Sequence, residues 1–390
     1  MNGLRFAGIE LKNWKNFKIA SVELADRVFI IGPNAIGKSN LLDAFRFLRD
    51  LAVEGGGLYQ AVNLRGGMSK LRCVFARQDQ EVEIVATLAG PAKAGWRYTL
   101  GFTHLSVRDS TPVVTREIVD KILSDGTLQR VLTRPNEKDQ ADVELRQQTA
   151  IQQVQINRDF RELVAFFRSV SCLHIVPQLL REPSKAEVDA LGGSDPWGRD
   201  LLNRINKTPP RRRNERLGRI QEILEAITPL DHLTLRTDSH GLPHLEAKLK
   251  NWRPRGVLQN EAQFSDGTLR MIGFLWALQE GGGPLLLEEP ELSLHTQIVR
   301  RLAPFIFRAQ KYDHGRQVIL STHSEVMLSD EGIAPAEVVL IQQSSEGSDV
   351  VGAATQPKIV QLMQKGIPAS EAALPLTTSP QMELFDRLQP

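Results

Sequence analysis

The segment Gly32-Pro33-Asn34-Ala35-Ile36-Gly37-Lys38-Ser39 follows directly on the apolar run Val28-Phe29-Ile30-Ile31. It leads into the helix-favouring stretch Leu41 to Leu48. Glycines at these positions let a backbone wrap a chain of phosphates, with successive N–H groups and a helix N-terminus turned inward. Lys38 then reaches the β- and γ-phosphates, and the Ser39 hydroxyl ligates a magnesium ion. Gly32, Asn34, Ala35, Ile36, Gly37, Lys38, Ser39 and the adjoining Asn40 are therefore expected to hold a nucleoside triphosphate. A loop of this kind works only between a buried strand and a helix, so it commits the chain to an α/β architecture.

The class of nucleotide chemistry comes from the far end of the chain. Pro284-Leu285-Leu286-Leu287-Glu288-Glu289 reads as an apolar strand ending in two carboxylates. Beside a phosphate loop, Glu288 is expected to hold Mg²⁺ and Glu289 to polarise the attacking water. A second strand, Gln317-Val318-Ile319-Leu320, ends in Ser321-Thr322-His323-Ser324, which puts His323 where it could touch a γ-phosphate. Phe264-Ser265-Asp266-Gly267-Thr268-Leu269-Arg270 opens a further helix, Leu269 to Leu278. Ser265 and Asp266 are good helix N-caps, and a Ser-x-Gly at a helix start also makes an anion cradle.

A phosphate loop, an S-D-G-T segment, a double-acid strand and S-T-H-S in this order resemble the ABC/SMC/RecF-type ATPases. The nearest likeness is the prokaryotic AAA-family ATPases with an ABC-type head, found in overcoming-lysogenization-defect proteins and related phage-defence systems. The resemblance implies an α/β head, a mixed β-sheet core around the phosphate-loop helix, with a helical signature lobe. It implies ATP and Mg²⁺ as ligands and a composite site: Ser265 and Gly267 would meet the γ-phosphate held by a second copy, so that ATP joins two heads. Glu291-Leu292-Ser293-Leu294-His295 resembles the D-loop that crosses such an interface. Val170 to Gln178 resembles the strand entering the Q-loop, which makes Gln178 a sensor of metal and γ-phosphate. Leu11-Lys12-Asn13-Trp14-Lys15-Asn16-Phe17 resembles the opening segment of SMC and RecF heads near the adenine; Lys15 either reaches the nucleotide or belongs to a plain strand and turn. The chain departs from the pattern at Glu288, where aspartate is more usual, at Ala35 and Ile36, and at His295.

With 390 residues, 41% of them hydrophobic, the chain can build a large core in one or two lobes. We expect residues 1–180 to form a first ATPase lobe and 181–280 a helical signature lobe. Residues 281–345 would return to the core, and 346–390 would form a C-terminal helix and tail. Short β runs are expected at Leu71 to Phe75 and Glu81 to Val85, with helical patterning from Asp142 to Phe167. A helix is expected near Asn214 to Ile227 in an otherwise loop-rich 181–280. No sustained heptad repeat separates loop from signature, which argues against a long coiled-coil arm. The net charge of +2 gives no global pull on polyanions. No apolar run reaches membrane-spanning length, no leader is visible at Met1-Asn2-Gly3, and two cysteines, Cys73 and Cys172, make neither a disulfide framework nor a zinc site. A cytoplasmic protein fits.

Weaker signals stay open. Arg211-Arg212-Arg213, with Arg216 and Arg219, is either a phosphate-backbone contact for nucleic acid or a solvated helix start. Lys248 to Arg255 is either a second such patch, with Trp252 to stack on a base, or a β-hairpin edge. After His323 the tail is too short for the nuclease domain fused to the overcoming-lysogenization-defect head, so a nuclease or toxin effector would be a separate chain. Gln381-Met382-Glu383-Leu384-Phe385 resembles the peptide that docks on the replication sliding clamp; docking elsewhere and packing on its own body are the alternatives. Competing readings of the whole are a RecF-like repair ATPase, a nearly inert ATP-gated scaffold restraining a toxin, and a transporter's nucleotide-binding subunit.

Overall fold

The computed structural model describes residues 3–76, 79–105, 110–181, 195, 197–225, 228, 230–249, 257–312 and 315–377. Its centre is a six-stranded sheet in the order β15 (Gly347–Gly352), β14 (Val338–Ser344), β3 (Arg27–Ile31), β13 (Val318–Thr322), β12 (Leu285–Glu288), β8 (Ser171–Leu173). From β14 to β8 the pairing is parallel, and β15 closes the edge as an antiparallel hairpin partner. Every residue of β3 and β13 is buried, as expected for parallel strands covered on both faces. This is why their sequences run apolar without alternation.

One face of the central sheet packs against the phosphate-loop helix Lys38–Ala52, the helix Arg161–Ser169 and a six-stranded antiparallel sheet. That second sheet runs β2 (Phe17–Glu23), β1 (Arg5–Trp14), β4 (Val82–Ala89), β5 (Gly95–His104), β6 (Pro112–Ile122), β7 (Leu128–Arg134). Where the layers meet, Phe6 packs edge-to-face against Phe45 and Phe166 and stacks on Phe167. The other face carries the helices Asp266–Glu280 and Thr296–Tyr312, the helix Pro210–Glu225 and a three-stranded sheet. The small sheet is ordered β11 (Val257–Asn260), β10 (Pro243–Leu249), β9 (Leu230–Thr237). The longest described helix, Thr296–Tyr312, has 17 residues. Among the described residues no helix is long and apolar enough to cross a membrane.

Three local expectations fail for physical reasons. Leu71 to Phe75 is not a strand: Met68–Leu71 is a helical turn, Arg72 makes a single bridge to Trp14, and Val74 is 83% exposed. The helix expected from Asp142 begins only at Arg161, because just there do Leu163, Val164, Phe166 and Phe167 line up toward the core. Upstream the chain makes short 3-10 turns, Val143–Gln147 and Asn157–Phe160. The loop-rich stretch before the S-D-G-T segment holds the three-stranded sheet. There Lys248 lies on β10 opposite Leu258 of β11, as a hairpin would have it. Residues 250–256 of that patch, and Gln381 to Phe385, lie outside the described residues.

Candidate active site

The phosphate loop joins β3 to the helix Lys38–Ala52 at the C-terminal edge of the central sheet. Gly37 has φ 115°, left-handed backbone that glycine adopts freely, and a Cβ there would run into the Asn16 amide. The back of the loop is clamped from two sides. Asn16 Nδ2 donates to Ile36 O (2.5 Å) and to Ser348 Oγ (2.8 Å), while Ser348 Oγ donates to Ile36 O (2.8 Å). Asn40 Nδ2 donates to Asn16 Oδ1 (2.7 Å), and Trp14 Nε1 to Asn40 O (2.8 Å). Asn40 therefore braces the loop from behind, whereas Asn34, Ala35 and Ser39 stand exposed. Lys15 is not free to reach outward: it pairs with Asp43 of the phosphate-loop helix at 2.5 Å.

Lys38 turns its ammonium back into the loop, donating to Gly32 O (3.0 Å) and Pro33 O (2.8 Å). Burial pulls its pKa down, opposed by the charges of Glu289, Glu291 and Glu288. The same ammonium lies 3.4 Å from His323 Nδ1, and His323 Nε2 lies 2.8 Å from Glu289 Oε1. A tautomer with the proton on Nε2 completes a chain from Lys38 through His323 to Glu289. Glu289 sits at φ 43°, a left-handed conformation for a residue with a Cβ, and its N–H bonds Ser321 O at 3.1 Å. Strained backbone of this kind persists where neighbours over-determine it and concentrates at functional sites.

Ser39 Oγ and Glu288 Oε1 are hydrogen-bonded to each other. A hydroxyl and a carboxylate are the hard oxygens Mg²⁺ selects, and that ion commonly takes one or two protein ligands beside phosphate and water. Among the described residues no group of three or more His, Cys, Asp or Glu side chains could hold a metal. Mg²⁺ here would rest on Ser39, Glu288 and the phosphates, a donor set that fits it.

The structure brings Lys38, Ser39, Glu288, Glu289 and His323 together, and it does not bring Gln178 to them. Gln178 lies in the short helix Pro177–Arg181, and its Nε2 donates to Asp266 Oδ2 at 3.3 Å. Arg181, one turn on, holds the same carboxylate and the Phe264 carbonyl, each at 2.7 Å. His174, four residues earlier, lies beside the Ser39–Glu288 pair, with Nδ1 3.2 Å from the Glu288 carbonyl.

Ser265 caps the helix Asp266–Glu280, its Oγ accepting from Thr268 N (3.2 Å). Gly267 approaches Ser293 so closely that a Cβ would lie 2.9 Å from its carbonyl. Ser265, Gly267, Ser293 and His295 line one cavity of about 1090 Å³, floored by Leu275 and Phe305. Ser39 and Glu288 line a different cavity, of about 620 Å³. Of the arginine cluster on the helix Pro210–Glu225, Arg213 donates to Asn206 and Arg216 stacks on Trp276. Arg211, Arg212 and Arg219 remain exposed, with Arg211 beside Glu215 at 3.3 Å.

Sequence reasoning missed Asn16, Ser348 and His174 as positioning residues, and placed Glu291 only in a loop. Asn16 and Ser348 lie 332 positions apart, a pairing no local pattern reveals.

Residues 27–329 match the family model described as "AAA domain, putative AbiEii toxin, Type IV TA system". A stretch of 85 residues, 22% of this chain, is 32% identical to Endonuclease GajA of Bacillus cereus (strain VD045), taking in 13% of that protein's length. Among solved structures, an Smc head bound to the C-winged helix domain of ScpA is similar with TM-score 0.51 at 17% identity, over 89% of this chain and 97% of the other. An Smc head with an extended coiled coil, bound to the C-terminal domain of ScpA and derived from Pyrococcus furiosus, gives TM-score 0.51 at 15% identity, over 93% and 100%. At these identities the likeness is one of fold: the α/β head of SMC- and ABC-type ATPases.

Proposed function

The chain belongs to the AAA-domain family of the AbiEii type, and from that premise we propose that it binds and hydrolyses ATP with Mg²⁺. In this reading two copies close on each other around the nucleotide, and that closure controls a separately encoded effector, a nuclease or toxin, in phage defence. One observation carries the catalytic half. Five side chains, from the ends of β12 and β13 and from the first turn of the helix after the phosphate loop, form two groups, Ser39–Glu288 and Lys38–His323–Glu289.

The residues divide the work. The loop N–H groups and Lys38 bind the phosphates, Lys38 exchanging its two loop carbonyls for phosphate oxygens. Mg²⁺, held by Ser39 and Glu288, supplies charge to the phosphate oxygens. Glu289 takes up the proton of the attacking water, and His323, bonded to Glu289 Oε1, keeps that carboxylate aimed. Ser265 and Gly267 make no contact with this group within the chain and line a separate cavity with Ser293. That separation favours a signature that serves the nucleotide of a second copy.

The defence role rests on the family and on the partial likeness to an endonuclease, a fold-level analogy. Arg211 and Arg212, exposed on their helix, are the candidates for nucleic-acid contact. Phosphate release from ATP, measured with Mg²⁺ and with the metal chelated, tests the catalytic half. Metal-dependent turnover that Glu289→Gln removes is expected; turnover indifferent to Glu289→Gln would favour the inert scaffold. Purification alongside the products of neighbouring genes tests the effector half, where a second chain retained in an ATP-dependent way is the expected result.

A further inference from the structure

Glu291 is the acidic residue of this region that the proposed chemistry leaves unused. It follows the two catalytic acids and begins the loop that leads to Ser293, yet its side chain turns back into the site. Its Oε1 accepts two hydrogen bonds from the strand end that carries His323: Thr322 Oγ1 at 2.5 Å and the His323 N–H at 3.1 Å. Thr322 Oγ1 in turn accepts from Ser324 N at 3.0 Å, and Ser324 Oγ caps the next helical turn through Met327 N at 3.2 Å. One carboxylate oxygen thus knots the Thr322-His323-Ser324 turn. The other, Oε2, is shut off from solvent and has no hydrogen-bond partner among the described residues.

The main chain of the same residue ties into the loop beyond. Glu291 O accepts from Leu294 N at 3.1 Å, and between them stands Ser293, at φ 61°, packed against Gly267. Glu291 thus bonds the Ser293 loop through its carbonyl and the backbone of His323 through its carboxylate. The His323 imidazole lies 2.8 Å from Glu289, and the Leu292 N–H makes a second link from that loop, to the Glu289 carbonyl at 3.1 Å. Burial raises the Glu291 carboxyl pKa, with the charge of Glu289 adding to it. A solvated surface acid would show neither feature.

We propose that Glu291 is a positioning residue: through Oε1 it fixes the His323 turn, and so the aim of Glu289, and it transmits the position of the Ser293 loop to them. This rests on the ATPase reading above. A misplacement near one ångström at reacting groups costs on the order of a hundredfold in rate, so Glu291→Ala should lower kcat about 10- to 100-fold. Its Kd for ATP should stay within about twofold, because Glu291 hydrogen-bonds neither Lys38 nor the loop backbone and acts on Lys38 only through its charge. Glu291→Gln keeps a carbonyl acceptor at Oε1 and should lose far less, and Glu291→Ala should add little in a His323→Ala background.

The deciding experiment measures kcat and Kd of wild type, Glu291→Ala and Glu291→Gln. Alongside them, imidazole ¹H–¹⁵N spectra of nucleotide-free protein are recorded, with the His323 signals assigned from His323→Ala. The expected result is a kcat-only loss in the alanine variant, moved His323 signals, and recovery of both with glutamine. Should the alanine variant fail to fold, Glu291→Met, of similar length but with no acceptor, takes its place. Wild-type kcat in the acceptor-less variant, or His323 signals that do not move, would overturn the proposal. Wild-type protein with no ATP turnover would instead break the ATPase reading, and the imidazole spectra would still decide whether Glu291 fixes His323.

Discussion

Two Ser- and Gly-bearing segments each open a helix, and they differ in what surrounds them: Gly37 enters its helix with left-handed backbone, and Ser265 caps its own through Thr268 N. At the phosphate loop the chain itself forms two groups, Ser39 with Glu288 and Lys38 with His323 and Glu289. At the signature segment, Ser265 is occupied only in capping its own helix, and Gly267 meets only the Ser293 loop. Both then face a large, partly apolar cavity that none of the catalytic residues lines. In the proposed reading the first segment holds the nucleotide with the chain's own residues, and the second is the half of a site that a second copy completes. The difference locates the step at which a second copy would enter: after binding, and at the signature.

Four substitutions sharpen or break that contrast. The largest effect is expected from Glu289→Gln, which should lower kcat by about a thousandfold while ATP still binds; a smaller fall, below about tenfold, would remove Glu289 as the base. Lys38→Ala should weaken ATP binding about a hundredfold, near 3 kcal/mol, as read by calorimetric titration. Unchanged affinity there would mean that the phosphate loop is not the nucleotide site. Ser265→Arg should leave the affinity for ATP unaltered and abolish ATP-driven self-association in sedimentation velocity. If instead it weakened binding by the isolated chain, the second segment would belong to the same nucleotide, and the contrast would fall.

The smallest effect concerns the footing of the signature. His244 Nδ1 lies 2.6 Å from the buried Glu261, and that bond, with Asp238 nearby, raises the histidine's pKa above its ordinary 6.5. A raised folded-state pKa stabilises fully below about 6.5, and the gain is lost as pH climbs through the folded-state value. His244→Gln should therefore cost up to about 1 kcal/mol at pH 5.5 and almost nothing at pH 9 in denaturant titrations. A cost that grows with pH would reverse the assignment.

What the sequence made legible follows the range of each interaction. The phosphate loop and the strand-end acids are local: a few consecutive residues carry both the conformation and the chemistry. The strands β3, β12 and β13 announce themselves because parallel strands covered on both faces run apolar, here as Val28 to Ile31, Leu285 to Leu287 and Val318 to Leu320, with polar residues only at their ends. The small sheet is hidden for the opposite reason, since β9 and β10 bury only Leu230, Leu233, Pro243, Leu245 and Ala247 among polar neighbours. Gln178, expected as a sensor of metal and γ-phosphate, reaches Asp266 from the short helix Pro177–Arg181, while His174, just before that helix, reaches the Glu288 carbonyl, contacts that spacing along the chain does not reveal. The clamp formed by Asn16 and Ser348 behind the phosphate loop exists only once distant segments have met. Cys172 shows the same limit. Burial pushes its thiol up to about 11, a property of its surroundings and not of its neighbours in the chain.

In the proposed reading ATP joins two copies of a chain that binds it alone. The native mass of the Glu289→Gln variant, with and without saturating ATP and Mg²⁺, decides this. A single chain of 43.6 kDa that doubles when ATP is added is expected. A mass that stays at one chain while ATP is demonstrably bound would contradict it.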